Sequence, residues 1–100
     1  MKFLDTILKN KKYYLRKDAE LREECRKEAM ENNMIDPKMA ADLLYEESAQ
    51  AEHIAGHYLY LYETAALDTW KSNLQFAKAR GIKETDTDRK VTKILTALCK

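Results

Sequence analysis

Two histidines four residues apart form the most chemically suggestive pair in the chain. His53 and His57 lie in the stretch EHIAGHYLYLYE, residues 52–63. On a helix the spacing H-x-x-x-H puts both imidazoles on one face, as in zinc proteases. The protease motif needs Glu directly after the first His, but Ile54 stands there and no third His exists. We therefore predict no metal and no cofactor, with both rings packed among tyrosines or reaching solvent; a zinc site is the alternative.

A second group of residues suits phosphates and bases. The stretch KNKKYYLRK, residues 9–17, joins basic side chains to two adjacent aromatic rings. Cations neutralise a nucleic-acid backbone, and aromatic rings stack on unpaired bases. The same stretch, beside the apolar start of the chain, also suits an anionic membrane surface or a plain solvated helix end. The predicted nucleic-acid-binding residues are Lys9, Lys11, Lys12, Tyr13, Tyr14, Arg16 and Lys17.

The charges are unevenly distributed along the chain, although their sum is only +1. Residues 1–17 carry a net charge of +5, residues 18–52 carry −7, and residues 53–100 carry +3. A chain polarised in this way can pair helices by charge or present one end to an oppositely charged partner. The alternative binding site is an acidic face that would occupy a basic protein surface. Its residues are Glu20, Glu23, Glu24, Glu28 and Glu31.

No catalytic arrangement is evident among the reactive residues. With only two glycines there is no loop that could cradle a phosphate, and no nucleophile lies beside a base in the sequence. We therefore predict that the protein is not an enzyme. Cys25 and Cys99 are far apart and are expected to be two free thiols.

The composition places these residues on helices. A chain of 100 residues makes one domain, and its 35% charged residues, two glycines and one proline are typical of a helical protein. No run of about 18 apolar residues is long enough to span a membrane. The N-terminal segment lacks the features of a secretory signal, so we expect a cytoplasmic protein.

Hydrophobic periodicity predicts three helices, at about residues 2–31, 37–80 and 87–99. Asp36 and Pro37 form a strong helix start, because Asp caps free amide groups and Pro fits the first turn. Thr85 and Asp88 have the spacing of a capping box. The alternating segment HYLYLY would suit a strand, but both of its faces are apolar and its flanks are helical, so we predict helix through it.

The predicted middle helix has consequences for the shape of the molecule. At 1.5 Å per residue it would be on the order of 65 Å long, whereas a compact chain of this length has a radius of gyration of about 13 Å. Either the helix breaks, at Gly56, or the molecule is elongated. We predict an all-α, elongated fold, consisting of a long helical hairpin and a short C-terminal helix, which buries its overhang by self-association as a homo-oligomer.

The stretch AADLLYEESAQAEHIAGHYLYLYETAALDTWKSNLQFAKARGIKETD resembles small helical accessory proteins of tailed phages, particularly the recombination mediators of T4-type phages. The resemblance implies a ring-forming protein that binds single-stranded DNA, acting in the cytoplasm of the host cell. It favours a non-enzymatic nucleic-acid-binding accessory factor. The alternative is a small phage-encoded interaction module, such as an inhibitor of a host defence complex, that uses the acidic face.

Overall fold

Five α-helices and one short 3-10 turn make up the part of the protein that the structure describes. The computed structural model describes residues 2–32 and 35–99, with side chains from residue 11 onward. The helices are α1 (Lys2–Glu31), α2 (Pro37–Ser48), α3 (Ala51–Tyr62), α4 (Ala66–Ala79) and α5 (Asp86–Leu98), with the 3-10 turn at Glu63–Ala65. No strand occurs within these ranges, so the all-α prediction is confirmed, and the HYLYLY segment is helical.

The prediction of one unbroken helix over residues 37–80 is wrong. The chain leaves the helical conformation at Ala49 and Gln50, where ψ is 127° and 178°. The new helix is capped locally, because the backbone N–H of Gln50 donates to Nδ1 of His53 at 3.0 Å. A second interruption follows Tyr62, where Glu63 has a positive φ of 49°. The helix does not break at Gly56, which lies inside α3.

These two interruptions remove the argument for an elongated molecule. Helix α2 packs on α1, whereas α3 packs on α1, α4 and α5. The Cα atoms span 47 × 39 × 20 Å with a radius of gyration of 15.0 Å. A rod of about 65 Å is therefore absent from the part of the chain that the structure describes. No helix within those ranges is both long enough and apolar enough to cross a membrane.

The hydrophobic core lies between α3, α4 and α5. Its buried members are Ala55, Leu59, Ala66, Trp70, Val91, Leu95 and Leu98. The Trp70 indole nitrogen donates to the Thr92 hydroxyl at 2.8 Å, which satisfies the one polar atom of this large side chain. Helix α1 lies across α3 and adds Tyr14 and Leu15 to the edge of the core. This crossing positions the basic stretch of α1 beside the start of α3.

Helix α2 is attached differently from the others. None of its residues is buried, and it packs on α1, whose buried apolar residues are Cys25 and Ala29 among the described side chains. Cys25 is a free thiol, as is Cys99. Met39 and Leu43 leave large apolar surfaces exposed on the outer face of the helix. Helix α2 is therefore held mainly by its contact with α1.

The start of α2 follows the predicted chemistry. Asp36 is in an extended conformation, and its carboxylate accepts from the Met39 amide at 3.2 Å, with Pro37 in the first turn. We expect Asp36→Ala to lower the free energy of unfolding by about 1 kcal/mol, because one free amide loses its partner. Chemical denaturation would measure this. Asp42→Ala, at an exposed position inside the same helix, is the control, and an equal effect of both changes would contradict the capping role.

Candidate nucleic-acid interface

The basic stretch of α1 lies on the surface, as the sequence predicts. Lys12 and Arg16 are exposed, and Lys11 and Lys17 are half-buried. Arg16 also lies 3.6 Å from the Glu20 carboxylate, but both side chains are more than half exposed, so water weakens this pair. The side chain of Lys9 lies outside the described residues. At about 100° per residue, these four positions are spread around the α1 axis and do not form a single face.

The two adjacent tyrosines have different environments. The Tyr13 ring is 37% exposed, with the Arg16 guanidinium 5.9 Å and the Lys17 ammonium 5.5 Å from its centre. Tyr14 is half-buried and packs against the core, with its ring perpendicular to that of Tyr13. Both were predicted to stack on bases, but the structure presents only Tyr13 as a surface ring. Tyr13 is therefore the more accessible of the two rings.

A cleft of about 680 Å³ runs beside Tyr13. One wall is α1, the floor is the start of α3, and the other wall is α5. Lys90 and Lys93 of α5 line this cleft, and both are exposed. The complete lining is Tyr13, Tyr14, Ala49, Gln50, Ala51, Glu52, Thr87, Lys90, Lys93 and Ile94. The cations of the lining thus come from α5, and α1 contributes Tyr13, beside whose ring Arg16 and Lys17 lie.

One carboxylate lies on the floor of this cleft. The Tyr13 hydroxyl donates to Oε2 of Glu52 at 3.0 Å, and Glu52 Oε1 is 4.0 Å from Nε2 of His53. The hydrogen bond to Glu52, followed by partial desolvation, raises the pKa of Tyr13 above its ordinary value of 10.0. The bond holds the Tyr13 ring at the mouth of the cleft, since it ties the ring to a different helix.

The alternative acidic face is also solvent-exposed. All five of its glutamates are exposed, and Glu23 pairs with Arg26 at 3.3 Å. Glu24, Glu28 and Glu31 have no ion-pair partner among the described side chains. The face lies on the second half of α1, beyond the basic stretch of residues 9–17. The change from basic to acidic charge along the sequence therefore begins within α1 and continues through α2.

A buried carboxylate forms a separate polar cluster between α1, α2 and α3. The Asp18 side chain is fully buried, and its Oδ1 accepts from the Tyr45 hydroxyl at 2.6 Å. Arg22 lies 3.2 Å from Oδ2, and Nδ1 of His57 lies 3.5 Å from Oδ1. Tyr45 also donates to the carbonyl oxygen of His53 at 3.2 Å. The cluster joins α2 to both neighbouring helices through one tyrosine.

Opposing influences act on the ionisation of this cluster. Burial alone would raise the pKa of Asp18, but the nearby imidazole of His57, the Tyr45 hydroxyl and the charge of Arg22 outweigh it. The pKa of Asp18 therefore lies below its ordinary value of 3.8. Burial, together with the hydrogen bond to Asp18, raises the pKa of Tyr45 well above its ordinary value. At neutral pH the cluster consists of an ionised Asp18 and a neutral Tyr45.

The two histidines do not converge on a common point. Nδ1 of His53 accepts from the backbone N–H of Gln50, whereas Nδ1 of His57 faces Asp18. Among the side chains that the structure describes, no group of three or more His, Cys, Asp and Glu residues is placed to hold a metal ion. The geometry gives these residues a helix cap and a contact with a buried carboxylate.

Four residues at these sites were not predicted from the sequence. Lys90 and Lys93 are three residues apart on α5, on the side away from its apolar stripe. This spacing indicates a basic face but does not show which helix lies beside it. Glu52 precedes His53 in the sequence, and nothing there indicates its contact with Tyr13. Asp18 gave no signal at all, because one acid among many charged residues in a helix is normally solvated.

Comparisons with protein-family models, with curated proteins and with solved structures find no match for this chain. The function proposed below accordingly rests on the contacts, burial and charges of the described residues.

Proposed function

We propose that the protein is a non-enzymatic accessory factor that binds single-stranded nucleic acid in the cleft between α1 and α5. The observation that carries the proposal is that Lys90 and Lys93 border the same groove as Tyr13. The basic segment of α1 meets this groove at Tyr13, with Arg16 and Lys17 beside the ring. A cleft with cations along one wall and an aromatic ring at its mouth is an arrangement that suits single strands.

Binding in this cleft divides into two contributions. The lysines neutralise phosphates, which releases counterions and makes affinity depend on salt. The Tyr13 ring stacks on one base, a contact that is worth roughly 1–3 kcal/mol and tolerates any base. The net charge of −7 over residues 18–52 does not face this groove as a whole, because Glu52 is the one acidic residue of that segment among the lining residues. The strand would therefore engage only one end of α1.

Self-association forms part of the same proposal. Leu61, Tyr62 and Phe76 expose large apolar surfaces at the end of α3 and on α4, away from the basic cleft. Contact between such surfaces on two copies would remove them from water while leaving the cleft accessible. This proposal gives the oligomer a basis different from the overhanging helix that the sequence predicted.

The test is the salt dependence of binding to a single-stranded oligonucleotide. We expect log Kd to rise with log salt, with a slope of about 0.7 per phosphate neutralised. Lys90→Glu combined with Lys93→Glu should weaken binding and reduce this slope by about 1.4, because two phosphate contacts are lost. Sedimentation of the same samples would report their mass, and a monomer at high micromolar concentration would remove the self-association part.

A matched variant distinguishes the loss of the cleft lysines from a change in net charge. Lys71 and Lys83 are exposed lysines outside the cleft, and reversing both changes the net charge equally. This control should keep most of the affinity and slope. Equal losses in the two double variants would show that binding does not use the cleft. No binding by the unmodified protein at low salt and tens of micromolar concentration would end the nucleic-acid proposal.

The exposed glutamates favour a second candidate function. Glu24, Glu28 and Glu31 form no ion pair within the described part of the chain, so they are available to cations of a partner. In this alternative the protein is an interaction module, such as an inhibitor of a host defence complex, that covers a basic surface. Failure of all nucleic-acid binding, with retained folding, would make this the leading candidate.

A further inference from the structure

Glu52 is an unexpected residue on the floor of a cleft proposed to hold phosphates. Its carboxylate shares the cleft with Lys90 and Lys93, where it weakens the attraction for any polyanion. The side chain is 31% exposed, so it remains accessible from the cleft. A residue that reduces general affinity can still contribute to selectivity, because selectivity is a difference between affinities.

The acceptor capacity of this carboxylate is only partly used. Oε2 accepts one hydrogen bond, from Tyr13, whereas the 4.0 Å between Oε1 and His53 is too long for a hydrogen bond. An ionised carboxylate has about four acceptor positions and no donor. It can therefore take further hydrogen bonds, but only from groups that carry hydrogen.

The position of the carboxylate relates it to a stacked base. Glu52 is joined to the hydroxyl end of the Tyr13 ring, so a base that stacks on the ring and extends toward that end brings its edge to the carboxylate. Bases in single strands expose their Watson–Crick edges, and proteins read them there. The stacking ring and the reading group are thus held together before any strand binds.

We infer that Glu52 gives the cleft a preference for guanine, an inference that rests on the proposed nucleic-acid function. Guanine presents two adjacent donors, N1–H and the N2 amino group, which match the two oxygens of a carboxylate. Thymine presents one N–H between two carbonyl oxygens, which the carboxylate repels. Adenine and cytosine each offer one amino group beside an acceptor nitrogen. Stacking on Tyr13 is common to all four bases, so discrimination falls to Glu52.

Three oligonucleotides test the inference with the unmodified protein. We would compare oligothymidylate with the same strand carrying one central guanine, or one central inosine, which lacks the N2 amino group. The guanine strand should bind about tenfold more tightly than oligothymidylate, the gain typical of a bidentate base contact. Inosine should lose most of this gain, because only N1–H remains. Equal affinity for guanine and thymine strands, with the salt slope intact, would overturn the inference and leave the proposed function standing.

A substitution then assigns the preference to one side chain. Glu52→Gln should bring the guanine-to-thymine affinity ratio close to one, because the amide offers only one acceptor oxygen. Glu47→Gln, at an exposed site on α2, is the matched control and should keep the ratio. A tenfold ratio that persists in Glu52→Gln would overturn the assignment, and absence of binding to every strand would remove the proposed function as well.

Discussion

Gly56→Ala is expected to lower the free energy of unfolding by about 3 kcal/mol, although alanine is the better helix former by about 1 kcal/mol. A Cβ atom at this position would lie 1.9 Å from the Tyr14 carbonyl oxygen and 2.6 Å from its carbonyl carbon. Both are backbone atoms of α1, so no side-chain rotation relieves the overlap. The two helices would have to separate, which would disturb the neighbouring Asp18 cluster.

Chemical denaturation of Gly56→Ala and Gly81→Ala would measure this effect. Gly81 has a φ of +82°, and no atom lies within 4 Å of the place that an alanine Cβ would take, so its substitution adds only the conformational cost of about 1 kcal/mol. The comparison separates steric exclusion from backbone preference. A Gly56→Ala protein as stable as the unmodified chain would mean that α1 and α3 do not cross at this close distance.

Asp18→Ala is expected to cost about 3 kcal/mol at neutral pH. The change removes the acceptor of the Tyr45 hydroxyl and leaves the Arg22 and His57 side chains without their buried partner. Breaking a buried ion pair costs about 3–5 kcal/mol, and Arg22 is 36% exposed and can turn to water, which favours the lower end. Asp42→Ala, at an exposed position, should have little effect.

The pH dependence of the same variant provides an independent check. Because folding lowers the pKa of Asp18, ionised Asp18 stabilises the fold above its ordinary value of 3.8, and this stabilisation is lost as pH falls through the folded value. The difference in stability between the unmodified protein and Asp18→Ala should therefore narrow in acid. A difference that is unchanged from neutral pH down to below 3.8 would show that the lost contribution is not electrostatic.

The features that could be predicted from the sequence are those that depend on near neighbours in the chain. The Asp36 cap and the Thr85–Asp88 capping box both occur as their spacing indicates, since each needs only residues three apart. The surface position of Lys12 and Arg16 follows from their place in a charged run. Helical periodicity likewise indicated an all-α protein.

The features that could not be predicted depend on which helices meet. Glycine in a helix suggests a weak point, yet Gly56 lies where the backbone of α1 comes close to α3. The real interruptions fall at Ala49–Gln50 and Glu63, without any glycine or proline. Asp18 is buried only because α2 and α3 cover that side of α1. Lys90 and Tyr13 line the same cleft. They are far apart along the chain, so the sequence does not show that they are neighbours.

The attachment of α2 also bears on how the protein opens. A helix with no buried residue, packed on α1 and joined to α3 mainly through Tyr45, can detach without exposing the core between α3, α4 and α5. Its amide hydrogens should then exchange with solvent through a partial opening of low free energy, ahead of those in the other helices. Such an opening would bring water to Asp18 while the rest of the molecule stays folded. The exposure of this carboxylate to solvent would then depend on the position of α2 alone.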